Sequence, residues 1–155
     1  LAHSLAKKKF GETFPNPSVG CVLVKYNKII AKASTGINGR PHAEEKVLKK
    51  AGKKSIGSTM YVTLEPCYHN STFGSCAEQI IKSKIKKIFI SKIDPDPRTN
   101  NKSIKFFNQR FGQASRNLRS ASTCWSFEVI PEAMVRKVKC VAPIAFHCSA
   151  SAAQA

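Results

Sequence analysis

Acidic residues are scarce in this chain: 9 of its 155 residues are Asp or Glu, against 26 Lys or Arg, giving a formal net charge of +17. Such a balance turns the protein toward anionic partners, either a phosphorylated metabolite or a nucleic acid backbone. The lysines are spread along the chain, as Lys46, Lys49, Lys50, Lys53 and Lys54 and again as Lys82, Lys84, Lys86 and Lys87. That spread reads first as a solvated surface and only second as a recognition patch. Long apolar runs are also lacking. None approaches the ~18 residues of a membrane helix, so no membrane partner is expected. Leu1 to Phe10 ends in a Lys7-Lys8-Lys9 run and lacks the apolar centre of a secretory signal, which points to a cytoplasmic protein. No internal repeat is visible.

The 42% hydrophobic share is that of a globular chain, and this length buries a core without disulfide staples. The six cysteines do not read as a disulfide framework. Cys21 lies in an apolar run, Cys67 and Cys76 have a better use described next, and Cys124, Cys140 and Cys148 are scattered through an irregular C-terminal stretch. A reducing compartment suits this usage.

Three side chains stand out for their chemistry: His42, Cys67 and Cys76. One imidazole and two thiols supply three ligands for a tetrahedral zinc and leave a fourth position for water, as a catalytic zinc requires. Glu44, two residues after the imidazole, is better placed as a proton carrier than as a ligand. An H-x-E segment followed by P-C and a second Cys is the signature of zinc-dependent nucleobase deaminases. The competing reading is a closed structural site with His69 as fourth ligand, but such a site has no use for Glu44. Residues two apart on a helix point in nearly opposite directions, since each step turns ~100°. His42 and Glu44 therefore share a site only at a helix start, which Pro41 marks.

Around these residues the pattern alternates. Leu1–Lys9 reads as a short helix. The Thr13–Ser18 segment is stiffened by two prolines, which are expected to hold Asn16 extended. Val19–Val24 and Lys28–Ala33 read as strands joined by a tight turn at Tyr26-Asn27. A helix runs from His42 to Gly52, with Ala43, Val47, Leu48 and Ala51 as its apolar face. Thr59–Leu64 is a third strand that delivers Glu65-Pro66-Cys67. Glu65 there either orients a ligand or faces solvent. Cys76 opens an amphipathic helix, Lys87–Ser91 is a fourth strand running into Asp94-Pro95-Asp96-Pro97, and Asn101–Phe107 is a short helix. Strands alternating with helices describe an α/β layered sheet with its chemistry at strand ends and helix starts. From about Arg110 neither period is clear. Cys124–Ile130 is the one candidate strand there, and no structure is assigned to the rest.

Pro15-Asn16-Pro17-Ser18-Val19-Gly20-Cys21-Val22, Pro41-His42-Ala43-Glu44, Tyr61-Val62-Thr63-Leu64-Glu65-Pro66-Cys67 and Asp94-Pro95-Asp96-Pro97 occur together and in order. This set resembles the deaminase-domain family of the riboflavin-biosynthesis protein RibD, as does the eight-residue gap between Cys67 and Cys76. The resemblance covers residues 1–108 and implies a three-layer α/β/α cytidine-deaminase-like fold with a central mixed sheet. It further implies zinc on His42, Cys67 and Cys76, Glu44 as proton shuttle, and Asn16 and His69 as substrate contacts. The implied reaction is hydrolytic deamination of a diaminopyrimidinone carrying a ribosylamino 5′-phosphate. Two departures stand out. Thr72, Phe73, Gly74 and Ser75 replace the family's basic residue, Thr and two prolines, and Asp96 stands where Asn is usual. The chain is read as a deaminase domain over 1–108 with an atypical tail over 109–155 and no reductase domain. A separate reductase and a homo-oligomer are the expected partners. The alternatives are a nucleic-acid cytosine or adenine deaminase, prompted by the charge, and a catalytically dead zinc-stabilised module.

Overall fold

The structure is a computed structural model that describes residues 1–69, 74–117 and 126–129, with side chains described as far as residue 110. Thr72 and Phe73, Cys124, Cys140, Cys148 and the end of the tail lie outside the described residues.

Five strands form one mixed sheet in the order β2-β1-β3-β4-β5: β1 (Gly20–Lys25), β2 (Lys28–Ser34), β3 (Thr59–Val62), β4 (Lys87–Ile90) and β5 (Ser126–Val129). β1 pairs antiparallel with both β2 and β3, while β3–β4 and β4–β5 are parallel. The β1–β2 turn uses Tyr26 and Asn27, at φ 49° and 58°. Positive φ at both central residues gives the twist that matches the flanking strands.

The helices are α1 (Ala2–Lys7), α2 (Ala43–Ala51), α3 (Cys76–Lys82) and α4 (Lys102–Asn117). Side chains alternate across the sheet. One face carries Cys21, Leu23, Met60, Val62, Ile88 and Ile90, and it packs with Ala43 and Val47 of α2, Ala77 and Ile80 of α3, and Phe107 of α4 in a single core. The other face carries Val22, Tyr61 and Phe89 in register, with the Tyr61 and Phe89 rings stacked at 4.9 Å. The start of α1 lies against this second face, where Ser18 Oγ donates to Ala6 O at 2.7 Å. Helix, sheet and helices thus make the three layers expected.

Two local expectations are corrected and a third is borne out. Asn16 is in a turn, not extended: its N–H donates to Thr13 O at 2.9 Å, and Thr13 Oγ1 donates to Asn16 O at 2.9 Å. A backbone donor and a threonine hydroxyl close the turn, and the peptide Phe14–Pro15 is cis. The helix expected to stop at Phe107 continues to Asn117, so the boundary drawn at 108 falls inside α4. Ser126–Val129 does form a strand, the parallel neighbour of β4. Unpaired N–H and C=O groups along β4 would otherwise leave an open edge, and that edge, more than local periodicity, makes β5 a strand.

Candidate active site

His42 is the N-cap of α2, with extended backbone at φ −65° and ψ 156°. Its N–H donates to Glu45 Oε2 at 2.8 Å, a capping contact that fixes where the helix begins. Glu44 is then the second helical residue and buried. The two side chains line one cleft of about 200 Å³, as a helix start permits and a helix middle does not.

Cys67 leaves the carboxyl end of β3 and Cys76 opens α3, whose N-cap Ser75 accepts the Glu78 N–H at 3.2 Å. His42 Nδ1 lies 3.3 Å from Cys76 Sγ and 3.6 Å from Cys67 Sγ. All three donor atoms fall within 4.8 Å of one another. Ligands at ~2.3 Å (sulfur) and ~2.05 Å (nitrogen) around a tetrahedral zinc sit roughly 3.6 Å apart across an N···S edge. The separations found here fit that ion with little adjustment. His69 is not part of this group among the described residues; it lines the cleft instead, with Nδ1 3.5 Å from Thr99 Oγ1. A three-donor group does not match the closed structural site.

The electrostatics follow from crowding these groups together. Hydrogen bonds from Cys76 and His42 hold the Cys67 thiol down at about 4, against burial, which works the other way. The same hydrogen bond and burial push Cys76 well up. Hydrogen bonding to Cys67 raises His42. Burial raises Glu44 from 4.5 to about 7, in the range where a carboxyl group both accepts and returns a proton near neutrality.

Asn16 lines the same cleft, and its Nδ2 donates to Gly39 O at 3.0 Å. Gly39 has φ +80°, and a Cβ there would sit 2.6 Å from Asn16 Cβ. The site therefore gathers His42, Cys67, Cys76, Glu44, Asn16 and His69 in one place.

Sequence reasoning left Glu65 open and overlooked two arginines. Glu65 is buried, not solvent-facing. It accepts the N–H of Asp94 (3.2 Å), the N–H of Asn101 (3.0 Å) and the hydroxyl of Ser103 (2.8 Å), so it ties the 94–103 loop to the end of β3. Arg40 and Arg98 both line the cleft. The Asp-Pro-Asp-Pro-Arg spelling carried a signal for the second, because an Asp two residues before an Arg readily forms a local turn.

Residues 1–92 match the family model described as the cytidine and deoxycytidylate deaminase zinc-binding region. The chain belongs to that family. It is 46% identical over 105 residues to the riboflavin biosynthesis protein RibD of Aquifex aeolicus, which covers 68% of this chain and 30% of that protein. It is 39% identical over 112 residues to the diaminohydroxyphosphoribosylamino-pyrimidine deaminase of Buchnera aphidicola from Schizaphis graminum, covering 71% of this chain and 76% of that one. Among solved structures, the Thermotoga maritima deaminase/reductase superposes with a TM-score of 0.68 at 38% identity, over 89% of this chain and 36% of the other. The chain thus spans about a third of the two-activity relatives and most of the Buchnera deaminase. Its fold is that of this deaminase family, with the zinc-binding group described above at the family's match. No helix among the described residues is long and apolar enough to cross a membrane.

Proposed function

We propose that this protein hydrolytically deaminates the diaminohydroxyphosphoribosylaminopyrimidine intermediate of riboflavin synthesis and releases ammonia. The observation that carries the reading is the convergence of the His42, Cys67 and Cys76 donor atoms within 4.8 Å on a cleft that also holds the buried Glu44. The names of the Aquifex and Buchnera relatives support the substrate. Catalysis is assigned to the deaminase unit over 1–108, with β5 adding an outer strand to its sheet beside β4.

His42, Cys67 and Cys76 hold the zinc. When bound, zinc supplies the Lewis acidity that lowers the pKa of water from ~15.7 toward ~7. Glu44 takes a proton from the attacking water and delivers it to the ring nitrogen beside the amine-bearing carbon, as a C–O bond forms there. Glu44 next carries the proton of the new hydroxyl group to the exocyclic amine. The C–N bond breaks, ammonia leaves and the carbonyl remains. One carboxyl group serves as base and then as acid, which suits a pKa near 7. Asn16, held by Gly39 O, faces the pyrimidine, and His69 lines the other part of the cleft. Burial of Glu44, Cys67 and Cys76 limits solvent access to the proton carrier and to the zinc-binding sulfurs.

A cytoplasmic setting belongs to the same reading, supported by the free thiols of Cys21, Cys67 and Cys76. So does a separate reductase acting on the product, the second activity in the name of the Thermotoga relative. The test is ammonia release by the zinc-loaded protein from the phosphoribosylaminopyrimidine, with Glu44→Gln as the blank. Release that falls by ~10²–10⁴ in the variant supports the reading. No release from folded, zinc-loaded protein sinks it.

A further inference from the structure

A phosphorylated substrate is held best where a cation stands on the cleft wall. The loop joining Cys67 to Cys76, Tyr68-His69-Asn70-Ser71-Thr72-Phe73-Gly74-Ser75, contains no Lys or Arg. Among the described residues, the permanent cations lining the cleft are Arg40 and Arg98. Arg40 Nη1 lies 3.5 Å from Glu45 Oε1.

Arg98 is differently placed. Its Nε lies 3.0 Å from both Asp96 carboxylate oxygens, and its Nη2 donates to Asp96 Oδ2 at 2.6 Å. The carboxylate takes one edge of the guanidinium and leaves Nη1 without a partner among the described residues. The Asp96 carboxylate is also capped by the Arg98 N–H at 2.9 Å, and the Asp96 N–H donates to Asp94 Oδ1 at 3.0 Å. Glu65 fixes the loop from beneath. Asp96 by itself would repel an anion in the cleft. Its side chain, however, is 27% exposed against 69% for Arg98, and both line the cleft, so the guanidinium is the more accessible partner of the pair. An exposed ion pair of this kind adds little stability. It does fix the direction of a fork of N–H donors suited to phosphate oxygens.

We infer that Arg98, oriented by Asp96, is the specificity-determining residue that receives the substrate's 5′-phosphate. The inference rests on the proposed function for its substrate, and it explains how an Asp is accommodated at position 96. Asp96 acts as a positioning residue, turning the guanidinium so that its free edge faces the phosphate.

The test compares the phosphorylated ribosylaminopyrimidine with its dephosphorylated counterpart as substrates of zinc-loaded protein, and measures ribose 5-phosphate binding by calorimetry. In Arg98→Ala, kcat/KM for the phosphorylated substrate is expected to fall ~10–100-fold through KM, toward the value for the dephosphorylated one, and ribose 5-phosphate binding is expected to weaken in parallel. Asp96→Asn keeps the loop but frees the guanidinium, and it is expected to lose part of the same preference. A substrate preference and a ribose 5-phosphate affinity that survive in Arg98→Ala overturn the inference, and a loss confined to Arg40→Ala assigns the phosphate to Arg40 instead. If wild-type protein releases no ammonia from either substrate, the proposed reaction fails, while binding of ribose 5-phosphate that depends on Arg98 still upholds the anion site.

Discussion

The backbone N–H of Cys76 donates to Cys67 Sγ at 3.3 Å. The first turn of α3 thus points a free N–H at the neighbouring thiol, and Cys67 is held near pKa 4 by Cys76 and His42 before any metal arrives. Cys76, pushed up by the same pairing, has to lose its proton when a cation binds.

Zinc binding should therefore release protons and strengthen as pH rises through neutrality. Cys67→Ser and Cys76→Ser should each lower zinc affinity by at least about 100-fold, read by competition with a chromogenic chelator. Cys21→Ala, a core change outside the donor group, should keep one zinc per chain. Equal metal loss in all three variants would dissolve the assigned ligand set.

Glu44 titrates near 7 in the metal-free protein, above the 4.5 of an unburied carboxyl group. A group raised on folding contributes stability below its unfolded pKa and loses it as pH climbs through the folded one. With respect to this group, metal-free protein should then be most stable below pH 4.5 and weaken toward pH 8, by an amount on the order of 3 kcal/mol. Glu44→Gln should flatten that slope, matching wild type at low pH and exceeding it at pH 8 in urea titrations. A wild-type slope preserved in the variant would place the titration elsewhere.

Removing the Glu65 carboxylate strands two backbone N–H groups and the Ser103 hydroxyl in a buried place. Glu65→Ala should cost roughly 2–4 kcal/mol. It should also raise KM by loosening the loop that carries Asp96 and Arg98. Denaturant midpoints and substrate kinetics measure the two effects separately, and a stable variant with unchanged KM would deny Glu65 its tie.

Gly39→Ala tests how closely the Asn16 turn is packed. The new methyl group would meet Asn16 Cβ at 2.6 Å, at a residue with φ +80°. Backbone strain costs about 1–2 kcal/mol, and displacement of Asn16 should raise KM several-fold while kcat changes little. A lowered kcat with an intact KM would argue that Asn16 acts on the chemical step.

His42, Glu44, Cys67 and Cys76 were legible in the sequence because their chemistry depends on residue type and on local position. A histidine at a helix start with a glutamate two residues later, and a cysteine after a strand-ending Glu-Pro, are statements about short segments. The Tyr26-Asn27 hairpin and the α2 face of Ala43, Val47, Leu48 and Ala51 were legible for the same reason: period and turn chemistry act over a few residues. The tertiary structure decided what depends on contacts between distant segments. Glu65 reads alike whether buried or exposed, and only the 94–103 loop folding over it settled which. Asn16 turned where its flanking prolines suggested extension, because Thr13 and Gly39 supply its hydrogen-bond partners. β5 was only a candidate strand within Cys124–Ile130, without a clear period, and the open edge of β4 decided it. The Asp96–Arg98 pair is local in sequence, but that it lines the cleft holding Glu44 and Cys67 was decided by the fold, since Glu65 ties the 94–103 loop to the end of β3.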